Sequence, residues 1–78
     1  MKSVFYVYSK EGCHLCGELI EKLIELVRGQ ASIEVIDIKG SVELFEKYRE
    51  EIPVVEFQGR ILFKHYLDKS LVNKALRS

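Results

Sequence analysis

Residues 8–19 read YSKEGCHLCGEL and hold the only two cysteines of this 78-residue chain, Cys13 and Cys16. The same stretch marks a change of period. Before it, residues 2–8 (KSVFYVY) are β-branched and aromatic, apolar on both alternating faces from Val4 onward. That is the pattern of a central strand covered on both sides. After it, Leu15, Cys16, Leu19, Ile20, Leu23, Ile24, Leu26 and Val27 recur at helical spacing, with Glu18, Glu21, Lys22, Glu25 and Arg28 opposite. The polar loop SKEGC joins the two patterns. Both cysteines therefore fall at the end of a strand and the start of a helix over residues 14–28. Glu18 and Lys22 stand four apart in the favourable order, and Gly29 is placed to end the helix.

Working outward, residues 33–38 (IEVIDI) read as a second strand, followed by Gly40 and Ser41 as cap residues. Val42, Leu44, Phe45 and Tyr48 give residues 42–50 a short second helix. Ile52-Pro53 precedes a third strand, VVEF at 54–57, and Gln58-Gly59 is a two-residue hairpin turn into a fourth strand at 60–64. Residues 67–77 form a last helix with Leu67, Leu71, Val72, Ala75 and Leu76 on its apolar side. The order β-α-β-α-β-β-α predicts an α/β fold built on one four-stranded mixed sheet. The first two strands are parallel through a right-handed crossover, the last two antiparallel, and helices cover both faces. A chain this short makes a single domain, residues 1–78, with no repeat or linker.

Twelve basic residues balance twelve acidic ones. A neutral surface argues against nucleic acid as the main partner, because phosphate binding needs an excess of Lys and Arg on one face. The apolar run at residues 4–8 is too short for a signal peptide, and no segment approaches a membrane span. The expectation is a cytoplasmic monomer. In a reducing compartment, two cysteines at this spacing read as catalytic or metal-binding before they read as a structural staple.

Placement tells the two thiols apart. Cys13 sits at or next to the N-cap of the first helix, where unpaired backbone N–H groups and the macrodipole favour negative charge. The thiolate is the nucleophilic form of cysteine. Lys10 adds a positive charge in the preceding loop, and Glu11 opposes it. Cys16 comes one turn later on the core-facing stripe. The roles follow: Cys13 attacks, Cys16 resolves. His14 either stabilises the thiolate when protonated or faces solvent in the first helical turn, and the second reading is favoured. Other classes stay open: cysteines that merely pack, a metal-carrying module, or a non-catalytic interaction domain. Structural zinc needs four ligands, and beyond the two thiols the chain offers only His14 and His65. Copper-carrying domains share a Cys-x-x-Cys at this point but run β-α-β-β-α-β, usually with Met where Glu11 stands.

Strand, YSKEGCHLC, helix, and later IPVV before a hairpin and a closing helix resemble a glutaredoxin of the thioredoxin-fold superfamily, over nearly the whole chain. The resemblance implies thiol–disulfide oxidoreductase activity with no resident cofactor and no metal. Protein or small-molecule thiols and disulfides would be the partners, and glutathione or a reductase the electron donor. It makes Cys13 the nucleophile and Cys16 the resolving cysteine. It makes Pro53 a cis-proline facing the disulfide, although X-Pro bonds are cis in only about one case in twenty. Ile52 becomes the residue whose backbone pairs with a bound substrate like an added strand. Lys10 becomes the basic residue near glutathione's carboxylate. His14 and Leu15 replace the family's usual Pro-Tyr between the cysteines. The family's Gly-Gly pair after the last strand is missing from residues 62–65 (LFKH), so Phe63 and Lys64 are expected to crowd glutathione and weaken its binding.

Overall fold

The computed structural model describes residues 3–77; Lys2, expected in the first strand, lies outside them. Strand β1 (Ser3–Ser9) leads through a loop to α1 (His14–Val27) and β2 (Ala31–Asp37). A 3-10 turn (Ile38–Gly40) and α2 (Val42–Tyr48) follow, then β3 (Val54–Phe57), β4 (Arg60–Lys64) and α3 (Lys69–Arg77). β1 runs parallel to β2, from Ser3 opposite Ala31 to Ser9 opposite Asp37, and antiparallel to β3, with Val7 opposite Val55. β3 pairs antiparallel with β4, so the sheet order is β2-β1-β3-β4. This is the expected mixed four-stranded sheet with β1 in the middle.

The alternation of side chains along β1 and β3 divides the core in two. Phe5, Val7, Val55 and Phe57 share one face, where Leu19, Leu23 and Val27 of α1 and Val72 of α3 close over them. The Phe5 and Phe57 rings stack with centroids 4.5 Å apart. On the other face Tyr8 and Val54, opposite each other in register, meet Ile38, Leu44, Phe45, Tyr48 and Ile52. α2 has only seven residues and covers this face at one end. Val4 and Tyr6, farther back along β1, stay half-buried. Helices thus lie on both faces as expected, but unevenly. Tyr8 is fixed where the cover is good: its hydroxyl donates to Glu56 Oε1 at 2.7 Å and its ring lies 4.9 Å from that of Tyr48.

Several boundaries differ from the sequence reading, each for a local reason. β2 begins at Ala31, two residues earlier than expected, because parallel pairing with β1 continues back to Ser3. Ile38 leaves the strand for the 3-10 turn, whose Lys39 N–H donates to the Asp37 carboxylate at 2.9 Å. α2 stops at Tyr48, whose carbonyl accepts from both Glu51 and Ile52. α3 starts at Lys69 rather than Leu67, because Asp68 caps it and accepts the Leu71 N–H at 3.2 Å. Gln58 (φ 51) and Gly59 (φ 80) both adopt the left-handed backbone that a two-residue hairpin requires.

Candidate redox site

The loop after β1 delivers Cys13 to the helix. Gly12 turns the chain with φ 87, a conformation that suits glycine, and the Cys13 N–H donates back to the Lys10 carbonyl at 3.2 Å. Cys13 itself is the N-cap of α1, with extended backbone (φ −84, ψ 100), as the sequence predicted. Its Sγ accepts the Cys16 N–H at 3.2 Å. A sulfur here takes the place usually filled by a Ser, Thr or Asp oxygen. Cys13 and Cys16 are joined in a disulfide, with their Cα atoms 5.3 Å apart. The two sulfurs are unlike in access. Cys16 is 2% exposed and belongs to the cluster with Ile38, Tyr48, Ile52 and Val54. Cys13 is half-buried and lines a shallow groove with Gly12, His14, Gly17, Glu18 and Glu21.

The other expected site residues fall into three groups. Ile52 is brought to the disulfide, in the same buried cluster as Cys16 and with Cys13 packed against it. Within the chain, the Ile52 N–H already donates to the Tyr48 carbonyl at 3.1 Å. Strand-like pairing with a partner can therefore draw on the Ile52 carbonyl, not on both groups. Pro53 is buried, the Ile52-Pro53 peptide is cis, and the Pro53 carbonyl accepts the His65 N–H at 2.7 Å. His14 takes the bland reading: its side chain is 91% exposed and lies 3.7 Å from the Glu18 carboxylate. Lys10 is half-buried in the loop before the cysteines and has no ion-pair partner among the described residues.

Sequence reasoning missed what happens at the end of β4. Phe63 stands opposite Val55 and packs into the α1–α3 core, so it does not crowd the site. The parity of the hairpin decides this, and that parity depends on a bulge between Val55 and Glu56 that the residues did not announce. Lys64 stands opposite Val54, on the side of the cysteines, and its ammonium forms an ion pair with Glu51. Lys64 beside it holds the Glu51 carboxyl below the usual carboxylate range, and His65 adds a smaller effect in the same direction. His65 occupies the left-handed region at φ 66, where a glycine would be unstrained.

Compared with known proteins, residues 5–77 match the family model described as Glutaredoxin-like domain (DUF836). The chain belongs to this glutaredoxin-like domain family. A solution NMR structure of protein Ne2328 from Nitrosomonas europaea is similar to it, with a TM-score of 0.83 and 31% identity over 95% of this chain and 91% of that one. An X-ray structure of a structural-genomics target protein from X. campestris shares the fold, with a TM-score of 0.71 at 23% identity, covering 94% and 95% of the two chains. The Glutaredoxin-like protein YDR286C homolog of Dictyostelium discoideum is 29% identical over 80% of this chain and 64% of its own length. The adenosine deaminase of Plasmodium falciparum is 32% identical over 92% of this chain. This chain spans only about a fifth of that protein's length, 20%. Within the glutaredoxin-like domain described here, no three His, Cys, Asp or Glu side chains gather as metal ligands, and no helix is long and apolar enough to cross a membrane, among the described residues.

Proposed function

We propose that this glutaredoxin-like domain is a thiol–disulfide oxidoreductase in which Cys13 attacks and Cys16 resolves. The asymmetry of the pair carries the reading: one sulfur borders a groove at a helix N-cap, and the other is 2% exposed one turn further on. In the dithiol form, the Cys16 N–H and the first-turn amides of α1 favour a negative Cys13 sulfur.

The Cys13 thiolate attacks one sulfur of a partner disulfide. That S–S bond breaks, and the second partner sulfur leaves as a thiolate that takes a proton from water. Deprotonated Cys16 then attacks Cys13 Sγ, releasing the first partner sulfur and forming the Cys13–Cys16 bond. Two electrons have passed to the partner. The donor that restores the dithiol is glutathione or a reductase. Lys10, the Ile52 carbonyl and Pro53 border the partner's path, with His14 at its rim. The partners are protein or small-molecule disulfides, met by a monomer in the cytoplasm and away from nucleic acid and membrane. Glutathione itself binds weakly, since the Ile52 N–H is already engaged by Tyr48 and Lys64 by Glu51.

Mixed-disulfide trapping tests this reading. The Cys16→Ser protein should accumulate adducts with disulfide substrates, visible as added mass, because the intramolecular release step is gone. The Cys13→Ser protein should neither turn over nor trap. Full activity in Cys13→Ser would overturn the assignment and favour a binding module.

A further inference from the structure

We infer that the site selects its partners by charge, accepting cationic and neutral thiols and disulfides and disfavouring anionic ones. The inference rests on the exchange chemistry proposed above. Around the accessible sulfur the groove is lined by Glu18 and Glu21, and Glu11 is exposed in the loop just before it. Among the described residues, Glu18 has only His14 within ion-pair distance, and Glu11 and Glu21 have no ion-pair partner. Against these three carboxylates stands Lys10. Leaving His14 aside, these four charges sum to two negative at the groove.

The cation that could offset part of this balance is already committed. Lys64 lies opposite Val54, which shares a buried cluster with Cys16 and Ile52, and its ammonium is held by Glu51. Glu51 immediately precedes Ile52 in the chain. A carboxylate carried by an anionic partner would find that the chain has supplied one first. Glu51 is therefore a specificity-determining residue: its charge keeps Lys64 from drawing anions toward Cys13.

The test reduces the Cys13–Cys16 disulfide of the whole chain with three small thiols: cysteamine (cationic), 2-mercaptoethanol (neutral) and 3-mercaptopropionate (anionic). Rates are expressed per thiolate and corrected for thiol basicity. Two net charges at about 10 Å from the attacked sulfur should favour cysteamine over mercaptopropionate about fivefold at about 20 mM salt, and less than about twofold at about 0.5 M. Glu51→Gln frees the Lys64 charge and should lower the low-salt ratio to about twofold. Glu51→Gln combined with Glu21→Gln should bring it close to one. Equal corrected rates for all three thiols in the wild type at low salt would overturn the inference. So would a ratio that Glu51→Gln leaves unchanged. A disulfide that none of the thiols reduces would refute the exchange chemistry itself, which is a separate and visible outcome.

Discussion

Cys13→Ser and Cys16→Ser each leave one thiol, and the structure sets how differently those thiols should react with iodoacetamide at neutral pH. In the Cys16→Ser protein the survivor sits at the N-cap of α1, with a backbone N–H directed at its sulfur. A hydrogen bond to a charged acceptor and the helix dipole, discounted for partial exposure, together stabilise the thiolate by about 1.4 kcal/mol. At pH 7 about 3% of an ordinary thiol is ionised, so this raises the thiolate population about eightfold. Each thiolate is in turn about threefold less nucleophilic, because nucleophilicity falls with basicity. The electrostatic gain is thus only about threefold.

Burial supplies the rest. Cys16 is 2% exposed, so alkylation in the Cys13→Ser protein waits for local opening. An opening cost of about 2–3 kcal/mol slows it by a further 30- to 150-fold or so. Cys13 should therefore react at least about a hundredfold faster, with serine keeping the helix capped in its absence. Initial rates of added mass against time, at several pH values, measure the ratio. Rates within tenfold of each other, or in the reverse order, would refute the division of roles.

Three further outcomes follow from the packing and the titrating groups. Burial, and then the hydrogen bond to Glu56, push the Tyr8 phenol up from 10.0 to about 12. Because the folded value is the higher, this group's contribution to stability is complete below about pH 10 and is lost as pH rises toward about 12. Tyr8→Phe should remove the last phase of the tyrosinate absorbance titration and flatten that loss. Leu23, 0% exposed between α1 and the sheet, should cost about 2–5 kcal/mol when changed to alanine, and a urea midpoint shift worth less than about 1 kcal/mol would contradict the packing. The Asp68 carboxyl is held below its ordinary 3.8, first by the Ser70 hydroxyl and then by the Leu71 N–H. Its stabilisation is present above about pH 4 and lost on acidification. Protection of the first-turn amides of α3, measured against their intrinsic exchange rates, should fall there, and Asp68→Ala should already show the lower protection at neutral pH.

Most of the site was legible in the residues because the features involved are local. A helix N-cap, a loop glycine and a buried cysteine one turn along are set by neighbours within a few positions. The same holds for the hairpin at Gln58-Gly59. The misreadings were of another kind. The residues did not show that Tyr48, four residues earlier, claims the Ile52 N–H when α2 ends. Phe63 was expected at the site, yet a bulge in the pairing of β3 with β4 turns it to the opposite face. The start of α3 was read from its apolar stripe, which includes Leu67, while Asp68 fixes the first turn.

The sequence by itself determined the order of elements, the α/β class and the placing of Cys13 and Cys16 at a strand–helix junction, since period and capping act over a few residues. Only the tertiary structure decided which charges and backbone groups remain free beside the sulfurs. The pairing of Glu51 with Lys64 joins residues thirteen positions apart, and it exists because β4 returns alongside β3 with one register and not another. A change of one residue in that register would carry Lys64 to the other face of the sheet. Side-chain direction in a strand alternates at every step, so the electrostatics of this site depend on the three-dimensional pairing, which no local pattern encodes.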